Sequence, residues 1–227
     1  MSTLSAVMSS LPVQARPRRP HLVWGSLTIA LTLVAGGLML IEPRAELLGG
    51  AAASLPPAAA LDTTAAQSIS DVLAAQVPFE QGKWTSIVIN HSGSAMGSAD
   101  TITKQHESAG LKGLGYHFVI SNGQGAVDGL ITAGPRWLTQ QAGAHTKGSQ
   151  GDAFNRHAIG ICLVGDGDSR NFTDEQISEL VRLTAALQAK FNIPASQVYL
   201  HRDLASTTSP GRLFPEAQFR ARLAAAR

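Results

Sequence analysis

The sequence predicts a mixed α/β domain, a central β-sheet flanked by helices, preceded by an N-terminal membrane-spanning helix. Three observations carry this. From Lys83 onward, short β-branched runs alternate with helical stretches, which fits neither a bundle nor a sandwich. One run, AIGICLVG from Ala158 to Gly165, is continuously apolar, as expected of a strand covered on both faces. A third run, Leu22 to Ile41, contains no charged residue.

Leu22–Ile41 is followed at once by Glu42, Pro43 and Arg44. Crossing a bilayer takes about 20 apolar residues, whereas a secretory signal has an apolar core of about 7 to 15. Residues 22–41 therefore read as a signal-anchor. Arg16, Arg18 and Arg19 favour a cytoplasmic tail over residues 1–21, with the rest of the chain on the extracytoplasmic side. A cleaved signal is the alternative, since Ala51–Ala53 offer small residues for a peptidase. Residues 42–82, rich in Ala, Pro and Gly, read as a linker whose part after Asp62 can turn helical and dock on the domain; residues 83–227 form the domain.

Within that domain the elements follow in order. WTSIVIN, Trp84 to Asn90, is a strand ending at His91, and Ser98–Ser108 is a helix closed by Gly110. YHFVIS and GAVDGLIT are two strands joined around Asn122–Gly123, a hairpin dipeptide. Ala133 to Arg156 is a long irregular stretch, the kind of segment that carries function. After Ala158–Gly165 comes a helix with a Thr173/Gln176 capping box, an apolar face of Ile177, Leu180, Val181, Leu187 and Phe191, and a stop at Pro194. QVYL gives a strand ending at His201, and a helix starts near Pro215.

Composition excludes some classes. With 227 residues and 44% apolar content, the chain holds one domain and an appendage. A net charge of +2 with no dense basic stripe in the domain argues against nucleic acid as a partner. The single cysteine, Cys162, rules out an intramolecular disulfide and reads as a small core residue.

His91 and His201 each sit directly after a strand, where open α/β sheets place ligand sites, and imidazoles on rigid elements make good zinc ligands. Taken singly, most histidines bind no metal. Around these two, the motifs IVINHSG, GLGYHFVI, GAHTKG with Asn155 and AIGICLVGD beyond it, and HRDLASTTSPG occur in order. Together they resemble the zinc-dependent N-acetylmuramoyl-L-alanine amidases shared by phage lysozymes and the peptidoglycan recognition proteins, over about Trp84 to Phe219.

The resemblance implies a zinc ion held by His91, His201 and the residue eight positions after His201, with water in the fourth place. That third position is Ser209, where catalytic members carry cysteine. It further implies that Tyr116 and Thr207 assist at the reaction centre, that His145 lines the cleft, and that peptidoglycan is the partner. Arg136, Trp137 and Asn155 are candidate contacts for the muramyl stem peptide, Arg136 because a guanidinium reads carboxylates bidentately. Asp203, two residues past His201, is expected to point elsewhere.

Serine changes the chemistry. A thiolate is anionic and polarizable, while a hydroxyl is neutral and gives up its proton with difficulty. Structural zinc sites contribute about 10 to 16 kcal/mol, and a lost ligand removes several of those. Two readings follow: a membrane-anchored amidase cutting between N-acetylmuramic acid and L-alanine, or a non-catalytic peptidoglycan sensor or scaffold. His91, Tyr116, His201 and Thr207 favour the first and Ser209 alone favours the second, because recognition proteins with serine there are generally binders without amidase activity; the two readings stay open.

Overall fold

The structure is a computed structural model that describes residues 67–226. The expected tail, the signal-anchor at residues 22–41 and most of the linker lie outside the described residues. Among the described residues no helix is long and apolar enough to cross a membrane.

Five strands form one sheet in the order β3-β2-β4-β1-β5. They are β1 (Ser86–His91), β2 (Phe118–Ile120), β3 (Ile131–Ala133), β4 (Ala158–Leu163) and β5 (Val198–Leu200). β1 lies parallel to both β4 and β5, with Ile89 opposite Ile161 and Leu200. β2 joins β4 in parallel, and only β3 runs antiparallel. Every residue of β4 is buried, which confirms the reading of its continuous apolar run and places Cys162 in the core. The shared direction of β2, β4, β1 and β5 brings their carboxyl ends to one edge, where ligand crevices form.

The helices are α1 (Ile69–Val72), α2 (Ala99–Ser108), α3 (Pro135–Leu138), α4 (Gly151–His157), α5 (Asp174–Phe191) and α6 (Glu216–Ala225). α5 starts at the expected capping box, Thr173 with Gln176. Its inner face of Ile177, Leu180, Val181 and Leu187 packs with Phe219 and Leu223 of α6 against Ile87, Ile89, Ile159 and Ile161. The helix ends at Phe191, three residues before Pro194, because Asn192 takes a left-handed conformation (φ 55°) and caps it. On the other side of the sheet, Ile102 of α2 packs with Leu114, Val119, Cys162 and Val164 in a much smaller cluster.

The end of the linker turns helical and docks on the domain: Val72 and Leu73 are buried in its core, and the Gln76 N–H bonds the Leu138 carbonyl at 2.8 Å. Two expectations need correction. The stretch 133–156 is not wholly irregular, since it contains α3 and α4. The hairpin pairs as foreseen, Phe118 with Ala133, yet β3 is only three residues long. Asn122 explains the shortening. Its amide donates to the Ala95 carbonyl, its Oδ1 accepts from Gln124 N–H, and Gln124 O takes the Gly97 N–H, so this segment ties two loops together instead of extending the ladder.

Candidate functional site

A cleft of about 600 Å³ opens on the side of the sheet that the small cluster covers. His91, Tyr116, His145, Asn155, His201, Thr207 and Ser209 all line it. Register explains part of the convergence. With Ile89 opposite Leu200, the two chains leave their strands side by side, β1 into His91 and β5 into the short 3₁₀ turn His201–Asp203.

Both histidines are held below their ordinary basicity, chiefly by burial. For His91, Asp166 and Asp168 offset part of that; for His201, the neighbouring His91 adds to it. His91 Nδ1 accepts the Gly167 N–H at 3.1 Å. His201 Nε2 is buried with no hydrogen-bond partner among the described residues. Such an orphan is uncommon in a folded protein and marks a group awaiting a partner.

Ser209 is 4% exposed, and its Oγ accepts the backbone N–H of His91 at 3.0 Å. The hydroxyl thus splices the loop from His201 to Gly211 onto the end of β1. The loop is held from a second side as well. The Asp168 carboxylate accepts from Thr208 Oγ1 and from Arg212 N–H, and these bonds, the first above all, hold it below the usual carboxylate range. Asp203 points away, as expected, accepting the Leu200 N–H at 2.9 Å.

These donors fit a zinc ion only in part. Two imidazoles converge, but the lone pair of His91 Nδ1 already faces an N–H, and the third group is a neutral hydroxyl engaged elsewhere. His91 also lies with Asp166 and Asp168 in a group whose ligand atoms fall within 4.8 Å of one another. Its carboxylates are likewise occupied, Asp166 by Ser169 Oγ and Asp168 N–H, and Asp168 as above.

Tyr116 is half-buried, packs against the small cluster and meets the Cys162 thiol. Burial, reinforced by Cys162, pushes its phenol well above its ordinary pKa, so it remains a proton donor at neutral pH. His145 packs over Gly160, where a Cβ would lie 2.3 Å from the ring. Its nitrogens bond Thr146 Oγ1 and the Ala158 carbonyl, and burial lowers its pKa to about 3. Asn155 accepts the N–H groups of His145 and Thr146 and donates to Thr146 O. It braces the loop rather than offering free polar atoms. Thr207 Oγ1 accepts the Ser209 N–H at 3.2 Å.

Two candidates stand elsewhere. Trp137 is 0% exposed, packed on Phe118 and Phe79 in the large core, and cannot touch a ligand in the cleft. Arg136 does not line the cleft; its guanidinium donates to the carbonyls of Leu114 and Ala142. Both sit on α3, inside the stretch Ala133–Arg156 that the sequence predicts to be irregular. Conversely, the structure adds His106 and Lys147 to the cleft wall. His106 Nδ1 accepts the Gly115 N–H at 2.9 Å, which fixes its ring beside Tyr116. No strand-end marker flags a histidine on a helix, so sequence pattern passes it by.

Fold and cleft together define an α/β domain with an imidazole-lined site at the carboxyl edge of a mostly parallel sheet. Residues 80–212 match the N-acetylmuramoyl-L-alanine amidase family, and the chain belongs to it. The endolysins of Enterobacteria phage T3 and Escherichia phage T7 are 31% and 30% identical to it, each over 60% of this chain and 87% of the relative. Among solved structures, the N-acetylmuramoyl-L-alanine amidase LysC from Clostridium intestinale URNW is 27% identical, with a TM-score of 0.54, covering 66% of this chain and 97% of that one.

Proposed function

We propose that this domain binds the muramyl stem of peptidoglycan in the cleft, and that serine at position 209 leaves it a binding module with weak or absent hydrolysis. Ser209 carries this reading. Its hydroxyl is neutral, buried and already accepts the His91 N–H, so it lacks the negative charge and the polarizable electron pairs of a thiolate. Family membership supports the ligand class, and the uncharged run at residues 22–41 supports a tether holding the domain on the extracytoplasmic side.

A second reading, amide hydrolysis between N-acetylmuramic acid and L-alanine, is favoured by the unpartnered His201 Nε2 and by Tyr116. In that reading His91 and His201 would hold a zinc ion, which would supply a nucleophile at neutral pH and a Lewis acid for the carbonyl. Tyr116 keeps its proton and donates it as a hydrogen bond to the developing oxyanion. Thr207 holds the Ser209 backbone.

Release of stem peptides from purified sacculi separates the two. With zinc supplied, the wild-type chain is expected to bind sacculi and release little, and Ser209→Cys to release at least tenfold more. Wild-type release equal to that of Ser209→Cys contradicts the binding reading.

A further inference from the structure

The cleft has a marked charge bias. None of its lining residues is an aspartate or glutamate, and Lys147 is the one lysine or arginine among them. Lys147 makes no hydrogen bond or ion pair among the described residues. Lys83, by contrast, donates to the Gln140 carbonyl, and Lys190 sits over the Phe79 ring. Its position is set from behind, because Asn155 clamps the backbone of Thr146 from both sides and Gly151 N–H returns to Gly148 O. Lys147 shares the cleft lining with His106 and His201.

A lone ammonium on a wall without carboxylates complements an anion. Resting on the proposed function, we infer that Lys147 reads a free carboxylate of the bound stem peptide, and thereby selects acidic stems over amidated ones. The neighbouring polar groups do not serve this purpose. The Asn155 amide is spent on the loop, the His145 nitrogens are spent on Thr146 and Ala158, and Arg136 is spent on backbone carbonyls. Lys147 is a flexible point charge at an open site, so its contribution is modest and screened by salt.

The test is a binding titration of the full chain with N-acetylmuramoyl-L-alanyl-D-glutamate and with its forms carrying one and both glutamate carboxyls as amides. A chelator is present so that no amide bond is cut. The wild type is expected to bind the diacid about two- to fivefold more tightly than the diamide. The preference should shrink at high salt, vanish in Lys147→Gln and survive in Lys147→Arg. Equal binding of the three ligands by the wild type, or a preference that persists in Lys147→Gln, overturns the inference while leaving the cleft as a stem site. Binding of none of them overturns both.

Discussion

The two faces of the sheet are built by different rules. One is sealed by α5 and α6 over isoleucines from β1 and β4, with Gln176 and Gln188 of α5 buried at its margins and bonded to backbone carbonyls. The other has five buried apolar residues, a cleft, and two buried histidines, His145 at the cleft wall and His117 fully enclosed behind it, with ring centroids 5.7 Å apart. The sealed face supplies stability through apolar burial. The open face holds its groups with hydrogen bonds, which position side chains but add little net free energy. This division lets residues of the site, Ser209 among them, vary while the fold stays intact.

Acid should separate the faces most strongly. Burial lowers the pKa of His117 to about 4 and of His145 to about 3, from the usual 6.5. Below pH 6.5 the unfolded chain binds protons that the folded chain refuses, so stability is lost as pH falls from 6.5 towards 4. The expected loss is on the order of 5 kcal/mol, read from urea midpoints at pH 7 and pH 4.5. Unchanged midpoints would show that these imidazoles are not held neutral. On the sealed face, Phe219→Ala should cost about 3–5 kcal/mol and leave stem-peptide affinity per folded molecule unchanged. A parallel loss of affinity would break the division of labour. The smallest effect belongs to Gly160→Ala. Its methyl would drive into the His145 ring, costing about 1–3 kcal/mol and shifting the His145 NMR signals; signals that stay in place would contradict the packing.

What the sequence disclosed follows the same division. Periodicity and capping announced β1, β4 and α5, because burial on the sealed face imposes apolar patterns on the chain. His91 and His201 were legible as strand-end residues, and the ordered motifs placed Tyr116 and Ser209 beside them. Trp137 and Arg136 misled, since an aromatic and an arginine in a glycine-rich stretch look alike whether they face ligand or core. His106 and Lys147 were missed because neither sits at a position that local pattern distinguishes. The commitment of Asn155, His145 and Asp168 to loop bracing depends on bonds between segments far apart in the chain, which no local window reports.

The central claim is that Ser209 leaves the imidazole pair short of a zinc site. Zinc titration of the full chain, wild type beside Ser209→Cys, tests it most directly. The account predicts that the wild type loses its zinc to a mild competing chelator while Ser209→Cys retains one equivalent. One equivalent held equally firmly by the wild type would contradict it.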